Sequence, residues 1–140
     1  AQDWELNFRL RESGGIVYFD PRLKVTYRPR STVEALAKQY FEYGRWRRVV
    51  TRRHKGSINL RYLAPPFTVL ATAVSLIAGA LLTPLLFIPA LVYMVFILGA
   101  SAVIGETLGE IMCMPIILLT MHLSWGLGFL TSLKGKNGLS

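Results

Sequence analysis

The sequence predicts an α/β fragment over residues 1–62, followed by an all-α transmembrane region of about three helices over residues 63–140. The chain is 52% hydrophobic with a mean hydropathy of +0.40, which is more than a globular core of this size requires. Charge is also uneven, because fourteen Lys and Arg side chains face six acids up to Tyr62, whereas two Lys and two Glu follow it. The first part therefore carries the whole formal excess of +8.

The first predicted element is a helix over residues 3–13. Its apolar residues alternate as in a strand, yet Trp4 and Phe8 also stand four residues apart, as neighbours on one helix face do. Asp3 suits the N-cap, and Gly14 follows as a stop signal. These end signals favour the helix.

Two short strands are predicted next, over residues 16–19 and 23–27. The first is an apolar run and the second alternates apolar and polar side chains, with Asp20-Pro21 as the turn between them. Pro29 should end the second strand, because proline cannot donate a hydrogen bond to a neighbouring strand. These strands are the β part of the α/β prediction.

A second helix is predicted from Ser31, where Ser31-Thr32-Val33-Glu34 matches a capping box. Apolar residues then fall on one stripe at helical spacing. Gly44 allows two interpretations: it breaks the helix, or it lets another element approach the backbone.

The segment Gln39 to Lys55, QYFEYGRWRRVVTRRHK, sets aromatic rings among arginines just before the apolar region. Such a composition is typical of a membrane surface, where a Trp ring is half-immersed and each basic side chain adds about 1 kcal/mol on anionic lipids. Basic charge also serves nucleic-acid binding, but that requires a soluble context. We expect anionic membrane lipids as partners and no nucleic acid.

Residues 63–133 are almost free of charge and allow three crossings of roughly 20 residues each. The predicted spans are residues 67–82, 85–104 and 111–133. Because basic residues precede the first span, residues 1–62 are expected in the cytoplasm, with the chain as a multi-pass protein of the plasma membrane.

Three crossings would put Lys134 and Lys136 outside, on the side that basic residues avoid. Two crossings with a re-entrant or interfacial third segment therefore stay open as the alternative.

Few polar residues interrupt the spans. Glu106 and Glu110 could bind a cation, but a solvated helix end is the favoured interpretation. His122 lies in an apolar segment and is expected to pack against a neighbouring helix. Gly126 and Gly128 form a small-residue face suited to close helix contact.

Three segments, in the order DWELNFRLRESGG, YFDPRLKVTYRPR and QYFEYGRWRR, resemble the C-terminal half of the catalytic domain of bacterial membrane-bound family 2 glycosyltransferases. The closing HLSWGLGF is similar to the last membrane segment of the succinoglycan-type branch. The resemblance implies the C-terminal part of a GT-A-type domain. It also implies an inverting transfer of a sugar from a nucleotide-sugar donor to a lipid-linked or polysaccharide acceptor.

The resemblance implies a role for Asp3 as the general base that takes a proton from the acceptor hydroxyl, a task for which a positioned carboxylate suffices. Gln2 stands where the family usually has Glu. From the pattern alone, Asp3 would merely cap a helix.

Gln39, Arg45 and Trp46 resemble the Gln-x-x-Arg-Trp motif of processive sugar polymerases. There the Trp stacks on the acceptor sugar and the polar pair faces the donor phosphates. Arg45 follows Gln39 by six residues instead of three, so interfacial anchoring is the competing interpretation.

The 140 residues contain no Asp-x-Asp, which this family uses to hold a divalent ion on the nucleotide diphosphate. The resemblance implies Mg or Mn for the full-length enzyme, with ligands in the preceding half of the domain, and it predicts no metal ligands here. The chain alone is therefore expected to be an inactive fragment. The alternative function is a non-catalytic basic membrane anchor or adaptor.

Overall fold

A computed structural model describes residues 2–26, 31–53 and 59–132, with backbone only for residues 2–5 and 53. Its five α-helices are connected by loops and by two short 3-10 turns, at Leu60–Tyr62 and Pro84–Phe87. The helices are α1 (Gln2–Glu12), α2 (Val33–Arg53), α3 (Ala64–Leu81), α4 (Ile88–Ile104) and α5 (Leu108–Thr131).

The predicted α/β fold class is wrong, because the described residues form helices and no strand. The turn at Asp20 does form, with the amide of Leu23 donating to its carbonyl oxygen at 3.2 Å. No strand pairing follows on either side of it in the described part of the segment. An isolated hairpin gains little without a surface to cover, and here Ile16 and Val25 are each 89% exposed.

The predicted first helix is confirmed as α1. Gly14, at φ +81°, ends it in the left-handed conformation that glycine adopts without cost, and the amide of Gly15 donates to Leu10 at 2.8 Å. Leu6 and Leu10 remain exposed, and no other described helix packs extensively on α1.

Helix α2 is continuous through Gly44 and begins one residue later than a capping box at Ser31 requires. The N-cap is Thr32, whose Oγ1 accepts a hydrogen bond from the amide of Ala35 at 3.2 Å. Glu34 consequently lies at the second helical residue, a place where its charge favours the helix dipole.

Three helices are long and apolar enough to span a membrane, as predicted: Ala64–Leu81, Pro84–Ile104 and Leu108–Thr131. Side-chain hydroxyls stabilise the turn between the first two, since Ser75 on α3 donates to Leu86 and accepts from the amide of Ala90 at 3.2 Å. A Cβ at Gly79 would lie 2.7 Å from the Phe87 ring, so this glycine lets the turn fold back tightly.

Helix α5 begins with a capping box between Thr107 and Glu110. The Glu110 carboxylate accepts from the amide of Glu106 at 2.9 Å, and Thr107 Oγ1 accepts from the amide of Glu110 at 3.3 Å. These bonds satisfy amides that a helix start leaves without partners. The acidic pair is thus part of a helix end, as favoured from the sequence.

Helices α2 and α5 pack through glycine, at backbone contact. Gly44 touches the carbonyl of Trp125, and Gly128 touches the carbonyl of Phe41. Close contact rather than a helix break is therefore the role of Gly44.

Arg48 joins the same two helices, since its guanidinium donates to the carbonyl oxygens of Phe129 at 2.8 Å and Leu130 at 3.2 Å. A cation here satisfies the last carbonyls of α5 and opposes the negative end of the helix dipole.

The end of α5 also returns to the start of α3. A Cβ at Gly126 would lie 2.6 Å from the carbonyl oxygen of Pro65 and 2.5 Å from the Val69 side chain. Pro65 is the second residue of α3, and Gly126 stands five residues before α5 ends. These two helix ends therefore lie at the same end of the bundle.

Candidate functional site

A cavity of about 520 Å³ lies between α2, the start of α3 and the second half of α5. Aromatic rings make up much of its wall and two guanidinium groups reach it, while none of the described residues that line it is acidic. Its lining residues are Tyr40, Tyr43, Trp46, Arg47, Val50, Arg61, Tyr62, Pro65, Met121, His122 and Trp125.

The residues that α2 contributes share one face of that helix. Tyr40, Tyr43, Arg47 and Val50 recur at intervals of three and four residues, which brings side chains to one side of an α-helix. The glycine contacts with α5 fix the rotation of α2 about its own axis, and so the direction in which this face points. Backbone packing between α2 and α5 thus builds the cavity wall.

The cationic part of the cavity centres on Tyr62. The guanidinium carbon of Arg47 lies 4.0 Å from the centroid of this ring, and that of Arg61 lies 5.8 Å away. Burial lowers the pKa of Arg47 and the neighbouring Arg61 lowers it further, while the electrostatic interaction with Tyr62 opposes this shift. Two cations beside one ring repel each other, so the electrostatics of this region favour an anion.

The aromatic part lies beside it. The ring centroids of Tyr40 and Tyr43 are 5.6 Å apart, and Trp125 stacks on Phe129 at the same centroid distance. Flat aromatic faces in a cavity can cover an apolar chain or the apolar face of a sugar ring. The cavity is therefore suited to a ligand that combines an anion with an apolar or sugar group.

His122 lines the cavity and is paired with Tyr93, which is not among the lining residues. The Tyr93 hydroxyl lies 3.1 Å from His122 Nδ1, which connects α4 to α5. This is the packing contact expected of His122, and its partner is a hydroxyl on the neighbouring helix.

The three predicted substrate-binding residues lie in different environments. Trp46 lines the cavity. Gln39 does not line the cavity itself, but its Nε2 donates a hydrogen bond at 2.6 Å to the hydroxyl of Tyr43, which does. Arg45 does not line the cavity; it forms an ion pair with Glu42 at 2.8 Å, and both side chains are about half exposed. Their roles in substrate binding stay predictions.

The predicted catalytic residue Asp3 lies in the first turn of α1. Its side chain falls outside the described residues, and none of the α1 side chains that the structure describes lines the cavity. Its role as general base likewise stays a prediction.

The sequence predicted Arg47 only as one of several arginines that reach lipid phosphates, and it did not single out Arg61 or Tyr62. A motif search favours the Arg-Trp pair at residues 45 and 46, whereas the face of α2 that recurs every three or four residues passes through Arg47. Arg61 and Tyr62 stand directly before the membrane region, where a cation and a ring indicate nothing beyond anchoring.

The described residues do not fit a divalent metal ion. They contain no group of three or more His, Cys, Asp or Glu side chains that could hold one. The described part of the cavity lining has no carboxylates, which are the oxygen ligands that Mg²⁺ and Mn²⁺ prefer. No chemical step is therefore assigned to a metal within this chain.

Comparison with known proteins supports the resemblance found in the motifs. The chain is 30% identical, over 91% of its length, to the succinoglycan biosynthesis protein ExoA of Rhizobium meliloti (strain 1021). The matched region spans 39% of that relative's length, less than half of the whole protein. No family model matches the chain, and no solved structure gives a significant match. The resemblance to the succinoglycan-type branch is confirmed.

Proposed function

We propose that this chain is the membrane-anchoring, acceptor-binding part of an inverting family 2 glycosyltransferase. It acts on a lipid-linked or polysaccharide acceptor at the cytoplasmic face of the plasma membrane, with a nucleotide sugar as donor. The observation that carries the proposal is the cavity, which joins the basic, aromatic helix α2 to the membrane helix α5. The similarity to a succinoglycan biosynthesis protein supports sugar transfer as the reaction that this cavity serves.

The location of the cavity follows from how its wall is built. Arg61, Tyr62 and Pro65 stand where the basic part meets the first membrane helix, and they share the cavity with His122 and Trp125 of α5. Crossing a bilayer separates groups by about 30 Å. The second half of α5 therefore lies near the same membrane face as the start of α3.

We therefore propose two crossings in place of three. This supports the alternative in which one apolar helix is re-entrant or interfacial. Two crossings also agree with the sequence, because Lys134 and Lys136 would then follow the positive-inside tendency. The acceptor cavity then opens at the face where nucleotide sugars are found.

In the proposed reaction, the carboxylate of Asp3 takes the proton from an acceptor hydroxyl. The hydroxyl oxygen attacks the anomeric carbon from the side opposite the nucleotide diphosphate, which leaves with the electron pair of the bond that breaks. Attack from the opposite side inverts the anomeric centre. General-base catalysis of this kind contributes typically 10² to 10⁴-fold.

Nucleotide binding is proposed to lie outside these 140 residues. The sequence has only two Asp residues, Asp3 and Asp20, and they do not form an Asp-x-Asp. The divalent ion that the family employs would be held with the nucleotide in that other portion.

The test is sugar transfer by membranes from cells expressing the complete gene, supplied with a panel of radiolabelled nucleotide sugars. We expect label in the lipid or polymer fraction, and a loss of at least 100-fold in Asp3→Asn. Asp20→Asn is the matched control, because Asp20 is a carboxylate on an exposed turn, paired with Arg22 at 2.8 Å. It should keep wild-type activity.

Two outcomes would contradict the proposal. Wild-type membranes that transfer no sugar from any donor would support the adaptor alternative. Full activity in Asp3→Asn, with membrane association intact, would remove Asp3 as the base.

A further inference from the structure

We infer that the cavity binds the phosphate group of a membrane-embedded lipid through the guanidinium groups of Arg47 and Arg61, with Trp46 and Trp125 beside the group that the phosphate carries. The interpretation of this cavity as an acceptor site rests on the proposed function. Binding of a lipid phosphate, however, requires no sugar transfer and is measurable on the 140-residue chain.

The first support is the pair of cations beside one ring. Both guanidinium carbons lie within 5.8 Å of the Tyr62 centroid. Guanidinium groups present several N–H donors in a plane, which suits the oxygens of a phosphate. Burial is the main cause that lowers the pKa of Arg47, and Arg61 lowers it further; an anion beside both guanidinium groups would offset the effect of Arg61.

The second support is the sign of the charge in the cavity. Among the described residues, those that line it include two arginines and no acid. The nearest acid along α2, Glu42, is paired with Arg45 outside the cavity. The described lining is therefore cationic, which favours an anionic ligand.

The third support is the apolar remainder, which favours a lipid over a free phosphate ion. Val50, Pro65 and Met121 line the same cavity as the cations. Just beyond it, Leu63 and Phe67 expose apolar side chains at the start of the first membrane-spanning helix. A free phosphate ion would leave this apolar wall uncovered, whereas a lipid chain would cover it.

The test uses the chain purified in dodecyl maltoside, a detergent without phosphate, and follows tryptophan fluorescence. Trp46 and Trp125 lie in the cavity, and a Trp4→Phe background removes the signal of the third tryptophan. Dodecyl phosphate is the probe. Inorganic phosphate tests the free ion, and dodecanoate tests whether any anionic amphiphile suffices.

We expect saturable binding of dodecyl phosphate, at least tenfold tighter than of either comparison ligand. The double variant Arg47→Gln/Arg61→Gln should weaken it at least tenfold. Arg61→Gln alone, at an exposed side chain that folding does not require, should weaken it by about threefold or more. Arg45→Gln is the matched control, since Arg45 lies on the same helix outside the cavity, and it should change affinity less than twofold.

Equal binding of inorganic phosphate would overturn the lipid assignment. An equal loss in Arg45→Gln and Arg61→Gln would show diffuse attraction to the basic helix and overturn the cavity assignment. Because no donor sugar is present, neither result bears on whether the complete protein transfers sugar.

Discussion

Gly44 is predicted to be the residue at which the α2–α5 interface tolerates least change. A methyl group there would touch the carbonyl oxygen of Trp125 and would lie 2.8 Å from the amide nitrogen of Phe129. Backbone cannot rotate away as a flexible side chain can. Gly44→Ala must therefore push the two helices apart.

The expected magnitude combines two opposing effects. Overpacking a tight contact costs about 1–3 kcal/mol. Replacing glycine within a helix regains about 1 kcal/mol. Separation of the helices also stretches the bonds from Arg48 to the end of α5, and charged hydrogen bonds contribute about 1.5–3 kcal/mol. We expect a net loss of about 2 kcal/mol.

The assay is thermal unfolding of the chain in dodecyl maltoside, followed by circular dichroism. The expected loss corresponds to a fall in Tm of about 4–8 °C. Gly99→Ala is the matched control, because Gly99 lies in α4 and an added Cβ would meet nothing within 4 Å. It should leave Tm unchanged or raise it by about 3 °C. A Tm for Gly44→Ala at or above the wild-type value would refute the close contact.

Two further predictions concern the same end of the bundle. Arg48→Gln should destabilise the chain by about 1.5–3 kcal/mol in the same unfolding assay, because it removes the hydrogen bonds to Phe129 and Leu130. Arg52→Gln is the control at an exposed side chain, and it should change the free energy of unfolding by less than about 0.5 kcal/mol. The second prediction concerns topology and uses a Cys113→Ser background, in which Ser13→Cys and Asn137→Cys each supply the single cysteine. Both should resist a membrane-impermeant maleimide in intact cells and react with it after lysis. Labelling of Asn137→Cys alone in intact cells would instead support three crossings.

The membrane helices could be predicted from sequence because their signal is local. A run of about twenty apolar residues needs no knowledge of its neighbours. The end of α1 at Gly14 and the helix end near Glu110 could be predicted for the same reason. The predicted N-cap of α2, Ser31, is one residue before the observed N-cap, Thr32.

The strands could not be predicted, because strand formation depends on partners. The apolar pattern around Asp20 is typical of a hairpin, and the turn forms. Without a neighbouring sheet, however, the flanking residues gain too little from pairing. The lack of a neighbouring sheet in the described residues therefore outweighs the local strand pattern.

The cavity depends on contacts between residues far apart in sequence, such as Arg48 and Phe129, which are 81 residues apart. Local analysis allowed either a break or a close approach at Gly44, and only the presence of α5 decides between them. The rotation of α2 against α5 also decides that Arg47 lines the cavity while Arg45 pairs with Glu42. Periodicity of α2 alone could have identified the shared face, but not what it faces.

The most direct measurement of the central claim is the rate of sugar transfer at varied acceptor concentration, in membranes containing the complete protein with Arg47→Gln/Arg61→Gln. If the cavity holds the acceptor, KM for the acceptor should rise at least tenfold, while KM for the nucleotide sugar stays within twofold of wild type. Wild-type kinetics for the acceptor in this variant would contradict the account.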